Sequence, residues 1–280
     1  MAATYNNLYL DARKRLREAG VEGAQLEARE LVCCAAGKSR EQFYRDMALY
    51  ASDPVEEKLA ELLERRLAGE PVAYLIGEWE FYGLGLDITP DVLIPRMDTE
   101  VLAERAILLA RAAGEGARVL DLCAGSGCVG LAVAANVPGC RVVLADVSEA
   151  ALRLCKQNVR RNELNARVTC VQADALWDFD VIACNPPYIP TGDIAGLDVS
   201  VRDYEPRSTL DGGADGLDFY RAIAARWGAA LRLGGALLFE VGIGQAGDVG
   251  AILAQNQFEQ IQTFQDTQGI GRVVEGVLNS

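Results

Sequence analysis

Arg118-Val119-Leu120-Asp121-Leu122-Cys123-Ala124-Gly125-Ser126-Gly127-Cys128-Val129-Gly130 is the stretch from which the fold of this 280-residue chain can be read. An apolar run ends at Leu122, glycines follow, and a second apolar segment at helical length begins near Cys128. Strand, tight turn and helix in that order bring backbone close to a ligand and aim helix N–H groups at it. Gly125, Gly127 and Gly130 satisfy G-x-G-x-x-G, and Asp146 ends the next apolar run 19 residues after Gly127. A dinucleotide fingerprint has this form. Taken alone it fits a nucleoside cofactor, another phosphate, or a purely structural glycine turn. Asp146 is placed to accept two ribose hydroxyls, or else to cap the helical segment from Ser148.

Outward from this stretch the same unit recurs. Short apolar runs at Arg118 to Leu122, Arg141 to Ala145, Val168 to Val171, Phe179 to Cys184 and Ala236 to Val241 alternate with helical segments. That pattern predicts an α/β domain with a largely parallel, doubly wound sheet, which binds ligands at the carboxyl ends of its strands. Upstream, Leu8, Ala12 and Leu16, then Leu26, Leu31 and Val32, then Leu59, Leu62, Leu63 and Leu67 recur at helical spacing. Ser52-Asp53-Pro54 opens the last of these helices and Gly69 closes it. Between the two regions, Trp79, Phe81 and Tyr82 before Gly83, then Leu84, Leu86 and Ile88, read as a hairpin. The expected organisation is a helical domain over 1–75, a hairpin linker over 76–95 and an α/β domain over 96–280. Residues 1–75 hold 11 basic and 13 acidic side chains, so of the net charge of -13 they carry -2 and the remainder carries -11.

That balance, 27 Lys and Arg against 40 Asp and Glu, is the wrong sign for affinity built on neutralising phosphates. The chain has no histidine, which removes Ser-His-Asp and Cys-His nucleophile pairs and every histidine metal site. No metal is expected. The eight cysteines form no C-x-x-C pair and several lie in apolar runs, as small buried hydrophobes of a reducing compartment do. Met1 to Arg17 lacks a signal-peptide core, and the uncharged stretch Leu122 to Cys140 is broken by glycines and Pro138. A cytoplasmic protein without a membrane span is expected.

Asn185-Pro186-Pro187-Tyr188 follows the fourth apolar run. Two prolines fix φ and hold Asn185 extended at the strand end. Its carboxamide supplies one acceptor and two donors, and the Pro186 carbonyl adds an acceptor. Together they suit the two hydrogens of a planar amino or amide group, with Tyr188 stacked on its face.

An Asp-x-x-x-Gly-x-Gly loop, acids at the next strand ends and Asn-Pro-Pro-Tyr together resemble the Rossmann-type S-adenosylmethionine methyltransferases acting on planar nitrogens. Glu80-Phe81-Tyr82-Gly83-Leu84, Ile94-Pro95-Arg96-Met97-Asp98-Thr99-Glu100, Tyr204-Glu205-Pro206-Arg207 and Gly212-Gly213-Ala214-Asp215-Gly216-Leu217 resemble, more narrowly, the HemK/PrmC family. That family methylates the glutamine of the Gly-Gly-Gln motif in peptide chain release factors, and the likeness spans nearly the whole chain. It implies S-adenosylmethionine against Asp121, Cys123, Ala124, Gly125, Ser126, Gly127, Asp146, Asp174, Ala175 and Asn185. It implies catalysis by Asn185, Pro186 and Tyr188, and substrate contacts from those three with Pro187 and Arg96. Four positions depart from the family pattern. Met97 replaces a usual proline, Cys123-Ala124 replaces Gly-Thr, and Ala175 stands where an aromatic often flanks adenine, a place Trp177 could take.

An amide nitrogen is a poor nucleophile because its lone pair is delocalised, so orientation supplies most of the catalysis. No strong base is needed, which suits a chain without histidine. The nearest rival, methylation of an amino group on a nucleic-acid base, is opposed by charge: from Asp174 to Asp218 there are ten acids against Arg202 and Arg207. A hydride-transferring dehydrogenase leaves Asn-Pro-Pro-Tyr without a task. A non-catalytic nucleotide-sensing module would be signalled by an eroded Asn185 or Asp146, and both are present.

Overall fold

The computed structural model of the chain describes residues 3–172 and 178–279. Two compact units separate: Met1–Gly77 with Asp198–Tyr204, and Glu78–Leu197 with Glu205–Ser280. This division differs from the expected boundaries at 75 and 95 in two ways. The hairpin belongs to the catalytic unit, and a short excursion from the far part of the chain belongs to the helical one.

The helical unit is built from α1 (Tyr5–Glu18), α2 (Ala24–Ala36), α3 (Arg40–Asp46), α4 (Asp53–Leu67) and α5 (Val72–Ile76). Thr4 caps α1, and Ser39 with Gln42 forms a reciprocal capping box on α3. Ala12 and Leu16 of α1, Ala28, Leu31 and Val32 of α2, and Leu59, Leu62 and Leu63 of α4 form its buried faces. The Arg66–Glu27 ion pair joins α4 to α2. The Asp198–Tyr204 segment is held here through the Tyr204 hydroxyl, which donates to the Ala68 carbonyl at 3.3 Å.

The catalytic unit opens with the antiparallel hairpin β1 (Glu78–Phe81) and β2 (Leu84–Asp87), followed by α6 (Thr99–Ala113), β3 (Arg118–Leu122), α7 (Cys128–Asn136), β4 (Arg141–Asp146), α8 (Glu149–Arg161), β5 (Val168–Gln172) and β6 (Phe179–Cys184). After α9 (Val199–Arg202), which lies in the helical unit, come α10 (Asp218–Trp227), β7 (Leu231–Glu240), α11 (Ala246–Gln255), β8 (Phe258–Gln265) and β9 (Gly271–Leu278). Seven strands form one sheet in the order β5-β4-β3-β6-β7-β9-β8. The first five are parallel, and β9 and β8 complete the sheet antiparallel. Chain order reverses on either side of β3 and β6, so the crevice beyond their carboxyl ends is the switch point where such sheets bind ligands.

Two features of that crevice follow directly from residue size. Helix α7 is apolar on all sides and buried from Cys128 to Ala134, and it approaches the sheet closely at Gly130. A Cβ there would lie 2.3 Å from Leu144 Cδ2 and 3.0 Å from Asp121 Cβ. The hairpin is fastened to the same region by Asn158 of α8. That fully buried amide accepts from the Asp87 N–H at 2.6 Å and donates to the carbonyls of Asp87 and Ser126 at 3.0 and 2.9 Å. No helix among the described residues is long and apolar enough to cross a membrane.

Candidate active site

The loop after β3 turns through three residues with positive φ, Cys123 at 60°, Gly125 at 55° and Gly127 at 83°. Gly125 and Gly127 adopt that region without steric cost, whereas Cys123 carries a side chain into it. Two carboxylates brace the turn. Asp121 accepts from the Gly130 N–H at 2.8 Å, and Asp146 accepts from the Gly125 and Ser148 N–H groups at 2.9 and 2.8 Å. The cap of α8 itself is Ser148, whose hydroxyl accepts from Ala151 N–H at 3.2 Å. Burial pushes the Asp121 carboxyl up to about 8 against the pull of the Gly130 N–H, and the nearby Asp146 raises it further.

A cavity of about 290 Å³ opens over this loop. Asp121, Cys123, Ala124, Gly125, Ser126, Asp146 and Asn185 line it, with Val92, Leu122 and Val129 among its apolar walls and Ser208, Thr209 and Phe219 on another side. Of the residues the sequence singled out, Pro187 joins them, while Gly127, Pro186, Tyr188 and Arg96 do not line this space. Gly127 instead caps α7. Asp174 and Ala175, together with Trp177, lie outside the described residues.

On the β6 side, Asn185 is half-buried between two fully buried prolines and the end of the strand. Its Nδ2 donates to the Thr99 hydroxyl at 3.4 Å. The backbone beyond it is clamped by the glycine-rich segment: Ile189 N–H donates to the Leu210 carbonyl at 2.9 Å, and Gly212 N–H to the Ile189 carbonyl at 2.8 Å. A Cβ on Gly212 would stand 2.8 Å from Tyr188 Cα and one on Gly216 2.4 Å from the Tyr188 carbonyl oxygen. Gln245 closes the clamp by donating to that carbonyl at 2.9 Å. Burial pushes the Tyr188 phenol up to about 12. Arg96 is held by the buried carboxylate of Glu205.

This geometry fits S-adenosylmethionine. An apolar cavity near the lower end of the range for ligand pockets carries a carboxylate acceptor at a strand end for a diol and glycine backbone for close approach. Sequence comparison decides the family. A relative from Geobacter sulfurreducens named release factor glutamine methyltransferase is 43% identical over 269 residues, 94% of this chain and 93% of that one. The chain belongs to the release factor glutamine methyltransferase family. A second member, from Agrobacterium fabrum, is 36% identical over 97% of this chain and 96% of its own. The model of the PrmC N-terminal domain matches residues 7–77 of this family member, and that of the methyltransferase small domain matches residues 85–197. The catalytic domain of human METTL16 is similar in fold, with a TM-score of 0.58 at 17% identity over 79% of this chain and 83% of that one.

Besides the cavity walls Val92, Ser208, Thr209 and Phe219, the sequence reading missed residues that support the site of this family member. Thr99, Asn158, Glu240 and Gln245 each join segments far apart in the chain. A signal existed for Glu240 alone: it is a charged residue ending the apolar run Ala236-Leu237-Leu238-Phe239.

Proposed function

We propose that this protein methylates the side-chain amide nitrogen of the glutamine in the Gly-Gly-Gln motif of peptide chain release factors, with S-adenosylmethionine as methyl donor. The single observation that carries this reading is Asn185 at the switch-point cavity, an amide fixed between two prolines and the Thr99 hydroxyl beside a carboxylate-braced glycine loop. The cavity-lining loop residues and Asp146 hold the donor, and Asp121 supports the loop from beneath. Bound S-adenosylmethionine supplies an electrophilic methyl group next to Asn185. Asn185 Oδ1 and the Pro186 carbonyl accept the two N–H bonds of the target amide and turn its lone pair toward the cavity, favouring a pyramidal nitrogen, and the methylated amide then gives up one of those protons to water. Positioning of this kind, in a site shielded from water, supplies most of the rate. Tyr188 and Arg96 form the side that receives the release-factor loop, and the helical unit contributes recognition of the rest of that protein. All eight cysteines are free thiols, which supports a reducing, cytoplasmic setting.

The test is mass spectrometry of release factors incubated with the protein and S-adenosylmethionine. One added methyl on the Gly-Gly-Gln glutamine is the expected result. Transfer to RNA or DNA with none to the release factor would replace the substrate class.

A further inference from the structure

Asn and Gln amides have two ends of nearly equal shape and opposite chemistry. The proposed chemistry requires Asn185 to show its oxygen to the substrate, so some group must hold its NH2 end. The Thr99 hydroxyl meets that end at 3.4 Å, but a hydroxyl is both donor and acceptor and by itself accepts either orientation. Its own proton must be committed elsewhere. Behind it stands Glu240, the last residue of β7. Cys184 of β6 is in register with Phe239 of β7, so the residues that follow them, Asn185 and Glu240, are neighbours at the sheet edge. Glu240 is 2% exposed, lies close enough to the Thr99 and Asn185 side chains for both to stabilise its ionised form, and has its Oε2 buried without a hydrogen-bond partner. An ionised carboxylate is acceptor only.

We propose that Glu240 is a positioning residue for the methyl transfer: it takes the Thr99 proton and faces the Asn185 NH2, and so leaves Asn185 Oδ1 toward the cavity. The proposal rests on the role given to Asn185 above. Glu240 touches neither donor nor target amide and acts through its two neighbours. A protonated Glu240 keeps one acceptor oxygen but presents an O–H donor at the other, so the orientation is fixed best when the carboxyl is ionised. Burial pushes that carboxyl up to about 7; Thr99, Arg272 and Asn185 pull it down and Asp98 raises it. Asp98 is itself paired with Arg272 at 2.9 Å. Tyr188 and Cys128 also face Glu240, while the Tyr220 hydroxyl donates to its backbone carbonyl at 2.9 Å. The expected consequence is a kcat that rises with pH through about 7.

The test uses the full chain with a release factor and S-adenosylmethionine, and compares Glu240→Gln, Asn185→Ala and the double variant. Glu240→Gln keeps the shape, removes the charge and replaces one acceptor oxygen by an NH2 donor, so the site no longer presents acceptors alone. It is expected to lower kcat by about 10- to 100-fold, as misplacement of a reacting group does, with both KM values and S-adenosylmethionine affinity near those of the parent. Its kcat should lose the rise near pH 7, and it should add little to the loss caused by Asn185→Ala. An unchanged kcat, a loss that multiplies fully with that of Asn185→Ala, or a parallel fall in S-adenosylmethionine affinity would each overturn the proposal. Should Glu240→Gln not fold, Thr99→Val cuts the same connection and is read the same way. Near-normal turnover of Asn185→Ala would instead overturn the role of Asn185, whatever Glu240→Gln does.

Discussion

Beyond the ends of β3 and β4 the site is made largely of backbone, braced by two carboxylates that accept from Gly125, Gly130 and Ser148 N–H groups. Beyond the ends of β6 and β7 it is made of side chains, with Asn185, Thr99, Glu240 and Gln245 linked across four segments. The difference matches the two tasks. Under the proposed function, a donor of fixed structure would be bound by a concave turn with few rotatable parts, whereas a target amide would have to meet one oriented dipole during reaction. Changes on the first side should therefore alter donor affinity, and changes on the second should alter turnover.

The largest effect expected is from Asn185→Ala, which removes a preorganised polar contact and should cost about 100- to 1,000-fold in kcat. Steady-state kinetics with a release factor, set beside calorimetric titration of S-adenosylmethionine, checks both halves of the comparison. A loss confined to donor affinity would break it.

Two glycines sharpen the same contrast. Gly212→Ala puts a Cβ 2.9 Å from the Pro187 carbonyl oxygen and 2.8 Å from Tyr188 Cα, and should lower kcat by about 10- to 100-fold while leaving donor affinity intact. Gly130→Ala collides with Leu144 and should destabilise the protein by about 1 to 3 kcal/mol, with weaker donor binding as the loop shifts. Thermal melts and titrations of the two variants should give opposite patterns.

Asp146→Ala should weaken S-adenosylmethionine binding by about 1.5 to 3 kcal/mol, the range for a charge-assisted hydrogen bond, with kcat at saturating donor little changed. Part of that loss belongs to the loop, because the same carboxylate holds Gly125. Calorimetry showing equal affinity would reduce Asp146 to a brace.

The two sides also differed in how much of them was legible in sequence. The glycine turn, Asp146 and Asn185 announce themselves because each depends on local chain chemistry: residues that tolerate positive φ, an acid at a strand end, an amide before two prolines. The five parallel strands were legible for the same reason, being mostly apolar runs, although β7 starts at Leu231, five residues before the run read from the sequence. The polar strand β8, with Glu259, Gln260 and Gln262 exposed at the sheet edge, lacks such a run, and β9 after it was not anticipated. Thr99, Asn158 and Gln245 were invisible because their partners lie 86, 71 and 57 positions away, and nothing local marks a residue whose function is a distant contact. The membership of Asp198–Tyr204 in the helical unit was hidden likewise.

A smaller effect tests Asp121. Its carboxyl is raised to about 8 by burial, so the folded state holds a proton that the unfolded chain gives up near pH 4. The stability it contributes is present below that pH and is lost as pH rises through about 8. Glu240 acts in the same direction up to about 7. Melting temperature should therefore fall from pH 5 to 9, less steeply in Asp121→Asn. Affinity for the cationic donor should rise over the upper part of that range, because a nearby positive charge favours ionised Asp121. A melting curve of unchanged slope in Asp121→Asn would remove this coupling.

The smallest effect concerns the one departure from the family pattern whose physical consequence is visible. Cys123 stands where the family resemblance leads one to expect glycine, and its φ of 60° is a conformation that a side chain disfavours. The strain is of order 1 kcal/mol, partly offset by packing of the half-buried thiol against the core cluster that contains Cys184. Cys123→Gly removes the strain and the packing together. It should raise stability by about 0.5 to 1 kcal/mol, a melting-temperature gain of roughly 2 to 4 °C at most. Donor affinity should hold or improve slightly, since the turn keeps its backbone, and kcat should stay unchanged because the β6 side is untouched. A variant that melts lower than the parent would show that the packing of Cys123 outweighs the strain, and that this loop is held by side chains after all.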